Sequence, residues 1–255
     1  MNQMMDSVIS IQNLHKSFSG HNVLRGIDLE IERGKSIVIL GGSGTGKSVL
    51  IKTVIGLLTP TSGTVKINGL NTANLDSQQK EEILRKCGFL FQAGALFDSL
   101  NIEDNITFFA EKLYGLTKKQ KKEMAEKKLE VVGLSSRLLK LFPSEISGGM
   151  QKRVSLARTI CTNPEIIFFD EPTTGLDPIM SNVINELIVD IKNKLGATCV
   201  TITHDMNSAR KIADNIAMIY EGKIIWQGEV NELDKVENPI VTQFINGKTT
   251  GPILS

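Results

Sequence analysis

A glycine-rich loop between a short apolar run and a helical pattern is the feature that most constrains the fold of this chain. The run 36–40 has the β-branched and aliphatic character of a buried strand. Glycines after such a strand let successive backbone N–H groups point inward around phosphate oxygens, and a helix starting near Gly46 adds its positive end. The loop fits the pattern GxxxxGK(S/T), read here as Gly41-Gly42-Ser43-Gly44-Thr45-Gly46-Lys47-Ser48.

This loop predicts a nucleoside triphosphate site. Lys47 is predicted to contact the β- and γ-phosphates, and the Ser48 hydroxyl is predicted to bind Mg²⁺. Val49 follows directly and is included among the nucleotide-binding residues. A glycine-rich turn with a fortuitous Lys-Ser pair is the alternative, and the complete motif between strand and helix disfavours it.

Two carboxylates end a second apolar run. The run 166–169 is followed by Asp170 and Glu171. A buried strand ending in this way delivers its carboxylates to the carboxyl edge of the sheet, where phosphates bind in α/β folds. Asp170 is predicted to reach the Mg²⁺ shell, and Glu171 to polarise the attacking water as a catalytic base.

Strand and helix patterns alternate along the chain, which favours a doubly covered parallel sheet at its centre. Hairpin signals cluster near the two ends. Only helical patterns occupy about 100–162, which predicts a helical subdomain inserted into an α/β core. Strands are predicted at 8–14, 23–31, 36–40, 64–67, 88–91, 166–169, 198–202, 216–220 and 223–228, and helices at 47–57, 78–86, 102–114, 118–132, 148–162, 178–195 and 206–213.

Charge and apolar patterning exclude some classes of protein. With 29 Lys and Arg against 28 Asp and Glu, the chain lacks the basic excess of a nucleic-acid binder. Its wholly apolar runs fall far short of the roughly 20 residues of a membrane helix. Met1–Asp6 show no secretory signal. Cys87, Cys161 and Cys199 are predicted to be reduced core thiols of a cytoplasmic protein.

A basic run lies within the predicted helical subdomain. Lys118-Lys119-Gln120-Lys121-Lys122 could form an anion-binding patch or one solvated face of a helix. Interleaved Glu123, Glu126 and Glu130 favour the solvated face, because opposite charges at helical spacing pair with each other.

A second anion site is predicted at Ser147, Gly148 and Gly149. Two glycines open a helix directly after a serine, so free N–H groups, the hydroxyl and the helix dipole converge. A serine N-cap alone would explain Ser147. It would not explain the Gly-Gly pair, which weakens a helix start unless backbone must approach something closely.

The stretch Ser144 to Gln151 resembles the LSGGQ signature of the nucleotide-binding domain of ABC transporters. The match covers roughly 7–235, with the motifs in family order, and leaves 236–255 as a C-terminal tail. The resemblance implies a P-loop ABC ATPase core: a mixed sheet with helices, an N-terminal antiparallel β part and the inserted α-helical subdomain. It also implies ATP and Mg²⁺ as ligands.

Further residues acquire roles from the resemblance. Phe18 falls where the family stacks an aromatic ring on adenine. Gln92 corresponds to the glutamine that senses Mg²⁺ and water and faces the membrane partner. His204 corresponds to the histidine that contacts the γ-phosphate, and Asp177 to the aspartate of the D-loop.

The family arrangement implies a head-to-tail homodimer. Ser147, Gly148, Gly149 and Asp177 of one subunit then act in trans on the ATP bound by the phosphate loop of the other. The predicted catalytic residues are Glu171, His204 and Gln92, and the predicted metal ligands are Ser48, Gln92 and Asp170.

Two departures from the general pattern narrow the resemblance. Met150 replaces the usual glutamine, and 91–97 reads FQAGALF. With the Gly251-Pro252-Ile253 ending, these features resemble the ATPases of the Mla (MCE-type) phospholipid transport systems. The resemblance implies a multispan permease and an MCE-domain protein as partners, and a peripheral position on the cytoplasmic face of the inner membrane.

Other functions remain open. The same core motifs fit an ABC importer or exporter ATPase for amino acids, metals or organic solvents. A non-transport ABC protein acting on nucleic acid or ribosomes is the rival from another class, whereas the signature disfavours a kinase or GTPase. Residues 93–97 are interpreted either as a docking surface for the permease or as a loop whose Leu96 and Phe97 pack into the helical subdomain.

Overall fold

The computed structural model describes residues 7–253 and divides into two compact units. One unit combines Met1–Leu84 with Thr198–Ser255, and the other is Arg85–Ala197. Met1–Asp6, for which the sequence predicts no secretory signal, and Leu254–Ser255 lie outside the described residues.

Ten strands and eight α-helices make up the regular structure of residues 7–253, together with short 3-10 turns. The strands are β1 (Ser7–Phe18), β2 (His21–Glu32), β3 (Ser36–Leu40), β4 (Ser62–Ile67), β5 (Leu70–Asn71), β6 (Cys87–Leu90), β7 (Ile166–Asp170), β8 (Thr198–Thr203), β9 (Asn215–Tyr220) and β10 (Lys223–Glu229). The helices are α1 (Lys47–Val54), α2 (Ser77–Arg85), α3 (Ile102–Tyr114), α4 (Lys118–Val131), α5 (Gly148–Thr159), α6 (Pro178–Leu195), α7 (Met206–Ile212) and α8 (Pro239–Ile245).

The first unit contains an antiparallel sheet and a mixed sheet. The antiparallel sheet has the order β2-β1-β4-β5. In the mixed sheet, β3 pairs in parallel with β8 and β9, and β10 adds to β9 in antiparallel orientation. All residues of β3 and β8 are buried, as continuous apolar or small-residue runs require in a central parallel strand. The predicted α/β class with an N-terminal antiparallel part is confirmed.

The second unit joins a parallel strand pair to a helical region. β6 pairs with β7 in register from Cys87 and Ile166 onward. Helices α3, α4 and α5 pack against one another, and no strand interrupts the described chain between β6 and β7. Ile102, Ile106 and Ala110 are fully buried on α3, since a spacing of four residues keeps them on one helix face. This region is the predicted helical insertion.

Ion pairs neutralise much of the basic run on α4. Lys121 Nζ lies 2.8 Å from Asp104 Oδ1 and 2.7 Å from Glu111 Oε2. Hydrogen bonds to these two carboxylates raise the pKa of Lys121 against the lowering effect of its burial. The Lys119–Glu123 and Lys122–Glu126 pairs follow at 3.9 and 3.8 Å, with the solvated-face geometry of i,i+4 pairs.

All three cysteines are buried and free of disulfides, as the sequence predicts. Burial, with a smaller contribution from the charge of Glu165, raises the pKa of Cys87 to about 12. Burial likewise raises the pKa of Cys161 to about 11, against the opposing charge of Lys128. The thiols of Cys87 and Cys161 are therefore protonated at neutral pH and poor nucleophiles.

Several element boundaries differ from the sequence prediction. Helix α1 ends at Val54 rather than at Leu57, because Gly56 adopts φ +76° and stops the helix. Strands β1 and β2 are longer than predicted, since a tight turn at Ser19 and Gly20, both with positive φ, continues their pairing to Phe18 and His21. Strand β5 and helix α8 were not predicted.

Helix α8 organises the described part of the C-terminal tail. Asn238 caps it and Pro239 occupies its first turn. The side chain of Gln243 is buried, accepts from the Ile253 amide at 2.7 Å and donates to the Lys248 carbonyl at 3.2 Å. Within residues 7–253, no helix combines the length and apolarity needed to cross a membrane.

Candidate functional site

The phosphate loop occupies the carboxyl edge of the mixed sheet in the first unit. It begins directly after β3 and ends in α1. Leu40 is in register with Thr203 of the parallel strand β8, so Gly41 and His204 leave the sheet side by side. Parallel strands thus bring two predicted site segments together that are distant in sequence.

Glycine is required at two loop positions for different reasons. A Cβ on Gly41 would lie 2.6 Å from the carbonyl oxygen of Ile219 in β9, so this residue permits close packing on the neighbouring strand. Gly44 adopts φ +76°, a left-handed conformation that disfavours side chains, and a Cβ there would meet nothing within 4 Å. Glycine is thus needed at position 44 for the backbone conformation of the loop, and at position 41 for the close packing of the loop against β9.

Lys47 places its cation inside the loop. Its Nζ donates to the carbonyls of Gly41 and Gly42, at 2.8 Å each, and the residue is 7% exposed. Ser48 is exposed in the first turn of α1, and Val49 is half-buried. Among the described residues no side chain caps the N-terminus of α1, so its N–H groups fit a phosphate.

Phe18 and His204 are both exposed residues of the first unit. Phe18 closes strand β1, is 42% exposed, and has the ammonium of Lys16 at 4.8 Å from its ring centroid. His204 follows β8, and the next residue, Asp205, caps α7 through the amides of Asn207 and Ser208. An exposed aromatic ring fits the predicted stacking on adenine.

The carboxylates Asp170 and Glu171 lie at the carboxyl end of β7 in the second unit and are half-buried. Glu171 adopts φ +46°, an unfavourable conformation for a non-glycine residue. Its carboxylate accepts from the Thr174 hydroxyl at 3.1 Å. Backbone strain of this kind clusters at functional sites, and the sequence contains no signal for it.

Gln92 follows strand β6 at the same sheet edge. Leu90 is in register with Phe169 of β7, so the residues after both strands emerge together. The side chain of Gln92 is exposed, whereas its carbonyl accepts from the buried Lys152 ammonium at 2.5 Å. Sequence analysis did not single out Lys152, because its contact is long-range.

The signature segment opens helix α5. The Ser147 hydroxyl caps the helix by accepting from the Met150 amide at 3.4 Å. A Cβ on Gly149 would lie 2.8 Å from Cε of Met180, whereas a Cβ on Gly148 would meet nothing within 4 Å. Within the described chain, therefore, no packing contact requires glycine at position 148.

Asp177 caps helix α6 and accepts from the amides of Ile179 and Met180 at 2.9 Å each. Ile179, in the first turn of α6, is 77% exposed. Because Met180 contacts Gly149, the N-termini of α5 and α6 are neighbours. The predicted in-trans residues thus share one surface of the second unit.

The three predicted Mg²⁺ ligands carry donor atoms of a suitable kind, Ser48 in the first unit and Gln92 and Asp170 in the second. Ser48, Gln92 and Asp170 offer hydroxyl, amide and carboxylate oxygens, the hard ligands that Mg²⁺ prefers. The described residues contain no group of three or more His, Cys, Asp or Glu side chains placed to hold a metal ion.

Comparison with protein families agrees with this geometry. The family model described as "ABC transporter" matches residues 24–174. The chain is 40% identical to the probable ribonucleotide transport ATP-binding protein mkl of Mycobacterium leprae, covering 98% of this chain and 72% of that protein. It is 39% identical to the chloroplastic protein TRIGALACTOSYLDIACYLGLYCEROL 3 of Arabidopsis thaliana, covering 97% and 76%.

A third relative and two solved structures extend the comparison. The intermembrane phospholipid transport system ATP-binding protein MlaF of Escherichia coli K12 is 33% identical, covering 99% of this chain and 94% of that protein. The dimeric ATP-binding cassette MJ0796 bound to ADP and Pi superposes with a TM-score of 0.80 at 30% identity, covering 87% and 98%. CbiO1 of Clostridium perfringens, part of the complex cbiONQ, superposes with a TM-score of 0.82 at 28% identity, covering 96% of each chain.

Proposed function

The chain belongs to the ABC transporter ATP-binding proteins and is an ATPase of that family, and from this premise we propose that it powers phospholipid movement between bacterial membranes. The observation that carries the proposal is the alignment with MlaF, a protein named for intermembrane phospholipid transport, over 99% of this chain and 94% of that relative. The FQAGALF segment and the Met150 signature support the same assignment.

ATP hydrolysis is assigned to the residues at the two sheet edges. The phosphate loop, Gly41 to Val49, holds the triphosphate, with Lys47 as the main counter-charge. Mg²⁺ neutralises phosphate charge when bound, and Ser48, Asp170 and Gln92 are its proposed protein ligands.

Glu171 orients and deprotonates the attacking water. The strained backbone of Glu171 supports this assignment, because strain persists only where the surroundings hold it. His204 contacts the γ-phosphate, and Phe18 stacks on the adenine.

The working unit is proposed to be a homodimer with two composite sites. Ser147, Gly148 and Gly149 of one subunit close over the ATP of the other, with Asp177 beside them. Gly148 has open space where a side chain would be, and Ile179 exposes 77% of its surface. A second copy of the chain could therefore approach the backbone at Gly148 closely and cover the Ile179 side chain.

A multispan permease is the proposed membrane partner, docked at residues 93–97 and the adjoining face of α3. The ring centroids of Phe97 and Phe108 are 4.7 Å apart, and those of Phe108 and Phe109 are 5.4 Å apart. All three rings remain between 38% and 54% exposed. Phe97 thus packs against the helical region, as one interpretation of this loop expects, and its remaining exposed aromatic surface supports the proposed docking.

With this docking, the proposed position of the protein is on the cytoplasmic face of the inner membrane. An MCE-domain protein completes the proposed assembly, as the Mla resemblance implies. A second candidate is an ATPase for ribonucleotide transport, favoured by the 40% identity with mkl, whose name states that substrate.

Lipid composition of the cell envelope tests the proposed substrate. A strain lacking this chain should accumulate phospholipid in the outer leaflet of its outer membrane, measured by lipid labelling and mass spectrometry. Complementation with the wild-type chain should restore the lipid distribution, whereas the matched Lys47→Ala variant should not. Unchanged envelope lipid in the deletion strain, with impaired ribonucleotide uptake, would select the second candidate instead.

A further inference from the structure

Helix α5 directs a buried lysine at the loop that follows β6. This loop, residues 92–97, is named here the Q segment. The Lys152 ammonium donates to the carbonyl of Gln92 at 2.5 Å, and Lys152 is only 6% exposed. The contact holds the backbone of Gln92 and leaves its side chain exposed.

Arg158, six residues farther along α5, makes further contacts with the same segment. Its guanidinium donates to the carbonyls of Gly94 at 2.7 Å and Ala95 at 2.8 Å, and it lies 5.8 Å from the ring centroid of Phe97. Arg158 is 8% exposed. A forked donor that binds two successive carbonyls fixes backbone orientation as well as position.

The Q segment is shaped to receive these donors. Gly94 and Ala95 adopt φ +75° and +51°, two successive left-handed residues. A Cβ on Gly94 would lie 2.7 Å from the Ser155 hydroxyl oxygen, so the backbone approaches α5 more closely than a side chain allows. Lys152, Ser155 and Arg158 are spaced by three residues and share one helix face.

Two buried cations are costly to maintain. Burial lowers the pKa of Lys152, although the charge of Asp170 opposes this effect, and burial also lowers the pKa of Arg158. Apolar side chains of similar volume would avoid the desolvation penalty. An apolar side chain could not donate to the carbonyls of Gln92, Gly94 and Ala95, so the contacts with this segment account for the two cations.

We propose that Lys152 and Arg158 are positioning residues that hold the Q segment on the signature helix, so that Gln92 is placed for ATP hydrolysis. The inference rests on the proposed role of Gln92. The N-terminus of α5 carries Ser147 and Gly148, and Lys152 and Arg158 farther along the same helix bind the loop assigned to the permease.

Lys152→Met and Arg158→Met test the proposal in the full chain, purified by an affinity tag together with the membrane proteins that accompany it. Amide hydrogen exchange should accelerate in the Q segment, where the Gly94 amide donates to the Phe91 carbonyl at 2.8 Å, and not in α3. We expect kcat for ATP to fall about 10- to 100-fold, the usual cost of misplacing a reacting group, with KM changed less than about twofold.

Two variants serve as controls. Lys152→Arg keeps a buried cation with sufficient reach and should restore both the exchange rate and kcat. Arg153→Met removes a cation from the same helix whose guanidinium donates to the Gly133 carbonyl at 3.2 Å instead, and should leave the Q segment unchanged. Thermal melting accompanies every variant, and Lys152→Gln replaces Lys152→Met if the latter does not fold.

Folded variants with wild-type kcat overturn the proposal, whether or not exchange in the Q segment changes. Equal losses in Lys152→Met and Arg153→Met also overturn it, since a general effect on α5 would then suffice. A wild-type complex without ATPase activity would instead contradict the proposed function. In that case, faster exchange in the Q segment of Lys152→Met that returns to the wild-type rate in Lys152→Arg still supports the contact between α5 and the Q segment. Exchange that does not change in Lys152→Met refutes it.

Discussion

Lys47 and Glu171 are predicted to fail in different ways when substituted. Lys47→Ala removes the buried cation of the phosphate loop and should weaken ATP binding at least about tenfold, as loss of a charged contact to phosphate does. Glu171→Gln keeps the shape of the side chain and loses the charge that activates water. ATP should then bind with near wild-type affinity while kcat falls about 100-fold or more.

Nucleotide binding by fluorescence titration and single-turnover hydrolysis separate the two effects. Thr174→Ala is a useful comparison, because it removes the hydroxyl that donates to the Glu171 carboxylate without removing the charge. Undiminished turnover by Glu171→Gln would show that another group acts as the base.

Local sequence patterns identify the residue types that carry the chemistry, but they do not reveal the conformations that these residues adopt. The GKS triplet and the Asp-Glu pair are local patterns with direct chemical meaning. The positive φ of Glu171 and the contact of Lys152 with Gln92 depend on residues far away in the chain, so no local pattern announces them. The same holds for Gly41, whose necessity arises from Ile219 in another strand.

Among the helices, α5 offers a direct test of whether its glycines serve stability or function. Gly148→Ala introduces a methyl group that meets nothing within 4 Å and replaces a poor helix former. The free energy of unfolding should rise by up to about 1 kcal/mol, or stay unchanged, in denaturant titrations. The rate of ATP hydrolysis should nevertheless fall, because the phosphates of the ATP bound by the second subunit must approach the backbone of Gly148 closely.

Gly196→Ala is the matched control for this experiment. Gly196 also has open space around its Cβ position but adopts φ +62° at the end of α6, so alanine there should destabilise the chain. A Gly148→Ala protein with full activity would remove the argument for close approach at the signature.

Elements with a clear apolar pattern were predicted well, whereas the short strand β5 and helix α8 were not predicted. Helix α3 and strand β3 have the predicted limits, because caps and turns bound their apolar patterns clearly. Strand β5 has only two residues, which is too short for any pattern. Helix α8 begins with an Asn cap and a proline at 238–239, and this pair is a helix-start signal that the sequence does contain.

The chain is predicted to hydrolyse ATP only as a homodimer. Subunits with Ser147→Arg keep a sound phosphate loop, and subunits with Lys47→Ala keep a sound signature. Neither variant alone should hydrolyse ATP. Mixed dimers should regain one composite site, formed by the loop of the first subunit and the signature of the second.

Co-expression with two different affinity tags allows the mixed dimers to be purified and assayed. Activity should be clearly above either parent and should not exceed half of the wild-type rate per dimer. Mixed dimers as inactive as their parents would contradict the composite site, and so would full wild-type activity.

The burial of all three native thiols has a practical consequence. Cys87, Cys161 and Cys199 are enclosed, and for the first two the pKa lies far above the pH of ordinary maleimide chemistry. A cysteine introduced at an exposed position such as Lys127 would then be the fastest-reacting thiol in the folded chain. A spectroscopic label can thus be attached to one introduced cysteine without first replacing the three native cysteines.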